Sequence, residues 1–138
     1  MEYIQVSYEY EEKIAIVTLN RPEMRHAFNT DMAKQLLTVF QSFNEQPVRV
    51  VILTSSTEDA FCSGADLKER KGMSEAEWTK QHHLFEQMFQ AVANCKQPTI
   101  AAINGYTLAG GFELALNMDL IVAGKNTKVG LTEVSRGI

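Results

Sequence analysis

The chain begins with two short runs of β-branched and aromatic side chains separated by charged residues. The runs cover residues 3–10 and 14–19, and Glu11, Glu12 and Lys13 lie between them. Runs of this kind joined by a polar turn are typical of paired strands. We therefore predict a β-hairpin at this position.

Two later segments carry apolar residues at helical intervals. The first follows Thr30, and its apolar positions are Met32, Leu36, Phe40 and Phe43. The second extends to Cys95 and starts with Ser74 and Glu77, which have the S-x-x-E spacing of a capping box. This periodicity predicts two amphipathic helices, and we expect Thr30 to cap the first of them.

Apolar runs between and after these helices predict further strands. They are residues 48–54, 98–103, 120–123 and 128–130, with a Gly-rich turn at 104–111 and a short helix at 112–118. A continuous apolar run such as 48–54 is typical of a strand covered on both faces. Strands that alternate with helices predict an α/β fold whose ligand site lies at the loops leaving the strand ends.

Composition and charge narrow the class of protein. The 138 residues are 45% hydrophobic, as in one globular domain or part of one. A net charge of -4 argues against nonspecific nucleic-acid binding. No apolar run approaches the roughly 20 residues needed to cross a bilayer, and no segment resembles a signal peptide. We therefore expect a cytoplasmic protein that binds neither nucleic acid nor membrane.

The two cysteines, Cys62 and Cys95, have no CxxC spacing and no matching set of histidines. Zinc sites and disulfide frameworks both require a recognisable spacing of ligands or partners. We therefore predict no metal site and expect both thiols to be reduced.

Two loops rich in small residues are candidates for ligand binding. They lie at 61–66 and 105–111, and each follows a predicted strand and precedes a helix. Small residues let a ligand approach the main chain, and the first turn of a helix leaves N–H groups unpaired, so two such loops could direct two donors at one oxygen. The alternative, that both are only tight strand-to-helix connections, stays open on spacing alone. Neither loop has the GK[ST] ending or the GxGxxG spacing of nucleotide-binding loops.

Glu113 and Glu133 are candidates for acid and base chemistry. Glu113 lies just inside the short helix at 112–118, and Glu133 follows the last predicted strand. If the strands are parallel, both carboxylates face the same end of the sheet, where two of them can divide the roles of acid and base. The alternative is that both are ordinary acidic residues near helix N-termini.

Five motifs, taken together and in this order, resemble the enoyl-CoA hydratase/isomerase (crotonase) family. They are NRPE (20–23), FCSGADLKE (61–69), PTIAAING (98–105), AGGFELA (109–115) and VGLTE (129–133). The resemblance implies a crotonase-like spiral of repeated β-β-α units, truncated before the C-terminal helices. Residues 1–138 would form its N-terminal acyl-CoA-binding core. Family members run to roughly twice this length, and many have glycine where Ala109 stands.

The resemblance also implies a reaction. The main-chain N–H groups of Ala65 and Gly110 would form an oxyanion hole around a thioester oxygen, and Glu113 and Glu133 would hold and activate a water molecule. An enoyl-CoA hydratase, which adds water across the 2,3 double bond, is the expected activity. The alternatives left open are an isomerase or another crotonase reaction, and a noncatalytic fragment that binds coenzyme A or assembles with a partner.

The resemblance finally implies how the substrate is bound. Ser63, Ala65, Leu67 and Lys68 match the segment that wraps the adenine and pantetheine of coenzyme A, and Arg25 and Lys68 are expected to contact phosphate. Coenzyme A enters as part of the acyl-CoA substrate, so no separate cofactor is expected. A homo-oligomer, a trimer or a hexamer, is implied as well.

Overall fold

The structure, a computed structural model, describes residues 1–132. The predicted N-terminal hairpin is confirmed: strands β1 (Ile4–Glu9) and β2 (Ile14–Leu19) pair antiparallel, with Ile4 opposite Leu19. The turn places residues 10–12 at positive φ, between 51° and 66°. The hairpin supplies the first two strands of the larger sheet.

The described residues form two sheets, which are parallel apart from the N-terminal hairpin. The larger one has the order β1-β2-β3-β5-β7, where β3 is Val50–Ser55, β5 is Thr99–Ile103 and β7 is Leu120–Ala123. The smaller one has the order β4-β6-β8, where β4 is Ala60–Cys62, β6 is Tyr106–Leu108 and β8 is Lys128–Gly130. All neighbouring pairs except the hairpin are parallel.

Four α-helices connect these strands. They are α1 (Thr30–Ser42), α2 (Leu67–Lys71), α3 (Glu75–Ala93) and α4 (Gly110–Leu116), and short 3-10 turns occupy Pro22–Met24 and Phe43–Glu45. The capping box predicted at Ser74 and Glu77 is confirmed.

The predicted cap of α1 was wrong by one residue. Asn29, with extended backbone, accepts the N–H of Met32 on its Oδ1 at 2.8 Å, so Asn29 is the N-cap and Thr30 is the first helical residue. The Thr30 hydroxyl instead donates to Glu69 of α2 at 2.9 Å. The Thr30 hydroxyl is engaged by Glu69, 39 residues away in the sequence, and a local sequence pattern does not reveal such a contact.

Helices α1 and α3 pack on one face of the larger sheet and form the core with it. Val51 and Leu53 of β3 are fully buried among residues such as Leu36 and Met88, whereas the alternate positions of β3 are only half-buried. Within the described residues, the predicted covering of both faces of this strand is complete on one face and partial on the other. The continuous apolar run at 48–54 therefore reflects one strand face that is buried in the core and one that is half-buried.

The chain repeats a β-β-α order, as the resemblance implied. In one unit β3 joins the larger sheet, β4 joins the smaller one, and α2 and α3 follow. In the next unit β5, β6 and α4 take the same places. The segment 104–111, predicted as a turn, therefore contains the strand β6. Because β4 and β6 are neighbours, the loops that leave them lie side by side, and this adjacency builds the site.

Candidate active site

A cavity of about 770 Å³ opens where β4 and β6 end. It is lined by every predicted site residue within the described part of the chain: Arg25, Ser63, Ala65, Leu67, Lys68, Gly110 and Glu113. Glu133, the remaining predicted residue, lies outside the described residues. The fold thus brings distant parts of the sequence to one cavity, while the roles assigned to them stay predictions.

The main chain around Ala65 is held by its neighbour Phe28. The Gly64 carbonyl accepts the N–H of Phe28 at 2.7 Å, and the Asp66 N–H donates to the Phe28 carbonyl at 2.7 Å. Because C=O and N–H of a trans peptide point in opposite directions, the Ala65 N–H points away from Phe28. The Ala65 N–H has no hydrogen-bond acceptor among residues 1–132.

The Gly110 N–H is fixed in a similar way. Gly110 is the first residue of α4, so its N–H has no acceptor within the helix. The carbonyl of Ala109, in the same peptide, accepts the N–H groups of Phe112 at 3.0 Å and Glu113 at 3.1 Å. The Gly110 N–H therefore points away from the helix, and no acceptor for it is found in the described part of the chain.

Glycines allow these two loops to touch. Gly64 has φ +103°, and a Cβ on it would lie 3.0 Å from the Ala109 Cβ and 3.1 Å from the Gly110 nitrogen. A Cβ on Gly111 would lie 2.1 Å from the Cys62 carbonyl oxygen, a clash with rigid main chain. The close approach of α4 to the 61–66 loop therefore depends on residues without side chains. It brings to one cavity two N–H donors that have no acceptor in the described part of the chain.

Ala109 adopts a backbone conformation that is unusual for its residue type. Its φ and ψ are 51° and -125°, a region that glycine enters far more readily than L-residues do. The Ala109 N–H donates to the Gly130 carbonyl at 2.8 Å, and its carbonyl accepts from the first turn of α4. These bonds hold the strained residue in place.

An acidic residue, Glu113, follows Gly110 by three positions in the sequence. Glu113 lies in the first turn of α4, is exposed and lines the cavity. Thr132 lines the same cavity and directly precedes Glu133 in the sequence. Glu113 can therefore contact a ligand bound in the cavity.

Aromatic side chains form an apolar part of the cavity lining. Phe28 makes edge-to-face contacts with Phe85 and Phe89 of α3, at ring distances of 6.1 and 6.4 Å. Trp78 and His82, which also line the cavity, stack at 5.1 Å, and His82 Nε2 lies 2.9 Å from Glu86 Oε1. The cavity therefore offers apolar surface to a ligand as well as the two N–H groups.

Two cations of the cavity lining, Arg25 and Lys68, give this region local positive charge. The guanidinium of Arg25 is 4.6 Å from the centre of the Tyr106 ring, and the ammonium of Lys128 is 5.3 Å from the same ring. Lys68 lies on the cavity wall in α2 and is exposed. This local positive charge suits an anionic ligand even though the whole chain is acidic.

Three supporting residues were not predicted as part of the site: Arg21, His26 and Asp66. Arg21 and Asp66 form an ion pair at 2.9 Å, and Asp66 also caps α2 through the N–H groups of Lys68 and Glu69. His26 is fully buried, accepts the Arg21 N–H on Nδ1 at 2.9 Å, and therefore donates from Nε2 to the Thr57 hydroxyl at 2.8 Å. The available signal was the position of Arg21 and Asp66 inside two of the quoted motifs.

Two buried titratable groups beside the site, His26 and Cys62, are neutral. Burial lowers the pKa of His26 below its usual value despite the carboxylates of Asp59 and Glu23, so the imidazole is neutral. Burial raises the pKa of Cys62 to about 12, and its thiol donates to the His26 carbonyl at 3.1 Å.

Within residues 1–132, no group of three His, Cys, Asp or Glu side chains could hold a metal ion. No described helix has both the length and the apolar character of a membrane span.

Comparison with known proteins identifies a family. The model of the family described as "Enoyl-CoA hydratase/isomerase" matches residues 9–138. The short-chain-enoyl-CoA hydratase of Clostridium acetobutylicum is 39% identical over 139 aligned positions, which cover 100% of this chain and 53% of that protein. The enoyl-CoA hydratase domain-containing protein 2, mitochondrial, of Bos taurus is 42% identical, over 91% of this chain and 43% of that one.

The fold agrees with solved structures of such proteins. The enoyl-CoA hydratase of Bacillus anthracis superposes with a TM-score of 0.94 at 37% identity, over 99% of this chain and 53% of that chain. The chain thus spans about half the length of the relatives it matches. Because one relative is named as mitochondrial, similarity alone does not fix the compartment of this protein.

Proposed function

Because the chain belongs to the enoyl-CoA hydratase/isomerase family, we propose that it binds an enoyl-CoA thioester and adds water across its 2,3 double bond. The observation that carries the proposal is the pair of main-chain N–H groups, at Ala65 and Gly110, that lack an acceptor within the described residues and line one cavity. Such donors are suited to an oxygen that gains negative charge during a reaction.

In this proposal the thioester oxygen accepts both N–H groups. Attack of water at the β carbon moves electrons toward that oxygen, and the resulting enolate is stabilised by donors that are already in place. Removing one donor of this kind typically costs about 3 kcal/mol of transition-state stabilisation. The strained and closely packed loops around Gly64 and Ala109 serve to hold the donors rigidly.

The two glutamates would supply the proton chemistry. Glu113, with Glu133, would orient and deprotonate the attacking water, and Glu133 in its acid form would protonate the α carbon. The position of Glu113 on the cavity wall supports its part, and the part of Glu133 rests on the family motif at 129–133. Two carboxylates favour hydration over a double-bond shift, for which one is sufficient.

Coenzyme A would lie along the cavity beside the cations of its lining, Arg25 and Lys68. Ser63, Leu67 and Lys68 would contact the adenine and pantetheine, and Arg25 and Lys68 would pair with phosphate groups. No other cofactor enters the proposal.

The proposal includes a cytoplasmic location and a homo-oligomer, a trimer or a hexamer. Support for association comes from β7, whose side chains Leu120, Ile121 and Val122 are exposed by 61%, 41% and 62%. Apolar side chains on this scale are normally covered by another surface. Sedimentation velocity of the purified chain would show trimers or hexamers, and a purely monomeric chain at micromolar concentration would contradict this part.

Activity on crotonyl-CoA tests the central proposal. Hydration removes the conjugated double bond, so absorbance of the enoyl thioester should fall, and 3-hydroxybutyryl-CoA should accumulate. Glu113→Gln and Glu133→Gln should each lower the rate by about 100-fold or more, because a positioned acid or base contributes on that order. Unchanged rates in both variants, or double-bond shift of 3-enoyl-CoA without any hydration, would contradict the proposed reaction.

A further inference from the structure

Arg21 and Asp66 form a nearly buried ion pair directly beside Ala65. Arg21 Nη2 lies 2.9 Å from Asp66 Oδ2, and only 13% and 6% of the two side chains are exposed. Burial alone would raise the pKa of Asp66, but hydrogen bonds from Arg21 and from the N–H groups of Glu69 and Lys68 hold that pKa below its usual value. The carboxylate is therefore ionised, and Arg21 is its compensating charge.

Both members of the pair also hold main chain on either side of Ala65. Arg21 Nη1 donates to the Ala27 carbonyl at 3.0 Å, next to Phe28, whose peptide groups bond Gly64 and Asp66. Asp66 Oδ1 accepts the N–H groups of Lys68 at 2.9 Å and Glu69 at 3.3 Å. The pair thus connects the segment before α1 to the first turn of α2, and Ala65 lies between these two anchors.

We propose that Arg21 and Asp66 are a positioning pair for the N–H of Ala65, and that Arg21 in addition neutralises a carboxylate that would otherwise oppose charge on the thioester oxygen. The inference rests on the proposed function, because it requires Ala65 to be a donor to that oxygen. Its physical basis is the arginine fork, which can hold a carbonyl and a carboxylate at once. Without Arg21, the Asp66 charge would remain beside the developing oxyanion in a poorly solvated place.

The direct readout is the C=O stretching frequency of a bound thioester. Butyryl-CoA labelled with ¹³C at the thioester carbonyl cannot be hydrated, and hydrogen bonds from fixed donors lower its carbonyl frequency. Difference infrared spectra would be recorded for the full chain and for Arg21→Met at saturating butyryl-CoA. We expect Arg21→Met to lose about half or more of the downshift seen in the unaltered protein.

Asp119→Asn is the matched control. Asp119 accepts the N–H of Thr99 at 2.8 Å and its hydroxyl at 3.2 Å, and it does not line the cavity. Both variants should lower the free energy of unfolding, but only Arg21→Met should change the carbonyl frequency. A merely structural role of Arg21 would leave the frequency of the folded variant unchanged.

Each outcome decides between the two proposals. A full downshift in folded Arg21→Met would overturn the positioning role while leaving the proposed function intact. Binding of butyryl-CoA to the unaltered protein without any downshift would overturn the proposed function, and the positioning role with it. If Arg21→Met does not fold, Arg21→Lys keeps the charge but not the fork, and we expect it to lose about a quarter or more of the downshift; an unchanged downshift would overturn the positioning role.

Discussion

Gly64 packs so closely against Ala109 that a Cβ on Gly64 would lie 3.0 Å from the Ala109 Cβ. This contact joins the loop after β4 to the loop after β6, and each loop carries one of the two N–H groups that have no acceptor among residues 1–132. The spacing between the Ala65 and Gly110 N–H groups therefore depends on the lack of a Cβ at position 64. Substituting alanine for Gly64 tests this contact.

Gly64→Ala should damage both stability and ligand polarisation. The residue has φ +103°, where an L side chain is strained by about 1–3 kcal/mol, and the new methyl would push on Gly110. Urea unfolding measures the first effect, and the carbonyl frequency of bound butyryl-CoA measures the second. Gly72→Ala is the control, because a Cβ there meets nothing within 4 Å; equal losses in both variants would show that the loop contact is unimportant.

Ala109→Gly should stabilise the protein. Glycine enters the region near φ 51° and ψ -125° without the strain that alanine carries there. Relief of that strain exceeds the added chain entropy of glycine, so we expect a gain of about 1 kcal/mol in the free energy of unfolding. In α3 the opposite holds: Ala91→Gly, at a half-buried position inside the helix, should lose about 1 kcal/mol. A loss in both variants would mean that Ala109 is not strained.

Thr107→Val should also stabilise the protein. The Thr107 side chain is fully buried, and its hydroxyl has no hydrogen-bond partner among residues 1–132. Replacing an unsatisfied hydroxyl by a methyl group removes a desolvation cost of about 1–2 kcal/mol. Thr99→Val is the matched control, because the Thr99 hydroxyl donates to the Asp119 carboxylate and accepts the Asp119 N–H. The control should lose stability, and a similar loss at position 107 would show that its hydroxyl has a partner.

The buried imidazole of His26 predicts a pH dependence of stability. Its pKa is lowered below the usual 6.5 by burial, so the unfolded chain binds a proton more readily than the folded one. Stability is thus fully present above pH 6.5 and falls as the pH decreases toward the folded pKa, by at most about 1.4 kcal/mol per pH unit for one such group. Asp66, whose pKa is also lowered, loses its contribution only below its usual value of 3.8.

Unfolding by urea at pH 7.5 and at pH 5.5 would measure this effect. His26→Asn keeps an acceptor for the Arg21 N–H but no longer titrates in that range, so its stability should change less between the two pH values. His83→Asn is the control, because His83 is exposed on α3. An equal pH response in all three proteins would assign the titration to another group.

The sequence predicted the parts of this fold that depend on local pattern. The hairpin, the capping box at Ser74 and the strands around β3 and β5 were all visible as periodicity and turn residues. The strands β4 and β6 were not, because their residues lie within or beside the segments of small residues at 61–66 and 105–111, which the local pattern assigned to loops, whereas β8, which is equally short, was predicted. The family resemblance supplied the repeat that places them side by side.

For the site, the sequence located the loops but not what holds them. Small residues after predicted strands indicated the two loops, and the family resemblance singled out Ala65 and Gly110 within them. The Arg21 to Asp66 ion pair joins residues that are distant in sequence, and charge alone does not reveal such pairing. The conformation of Ala109 was equally hidden, because a positive φ at alanine contradicts the preference of that residue.

Phe28 belongs to the hydrophobic core and to the site at the same time. Its ring packs against Phe85 and Phe89, while its own N–H and C=O hold the peptides on both sides of Ala65. Any loosening of that aromatic cluster would therefore also displace the Ala65 N–H, because the peptides on both sides of Ala65 are bonded to Phe28. Under the proposed function, mild heating or low urea should weaken the hydrogen bonds to the thioester oxygen before global unfolding is detectable. The rate of hydration would then report on the packing of this core more sensitively than an unfolding curve does.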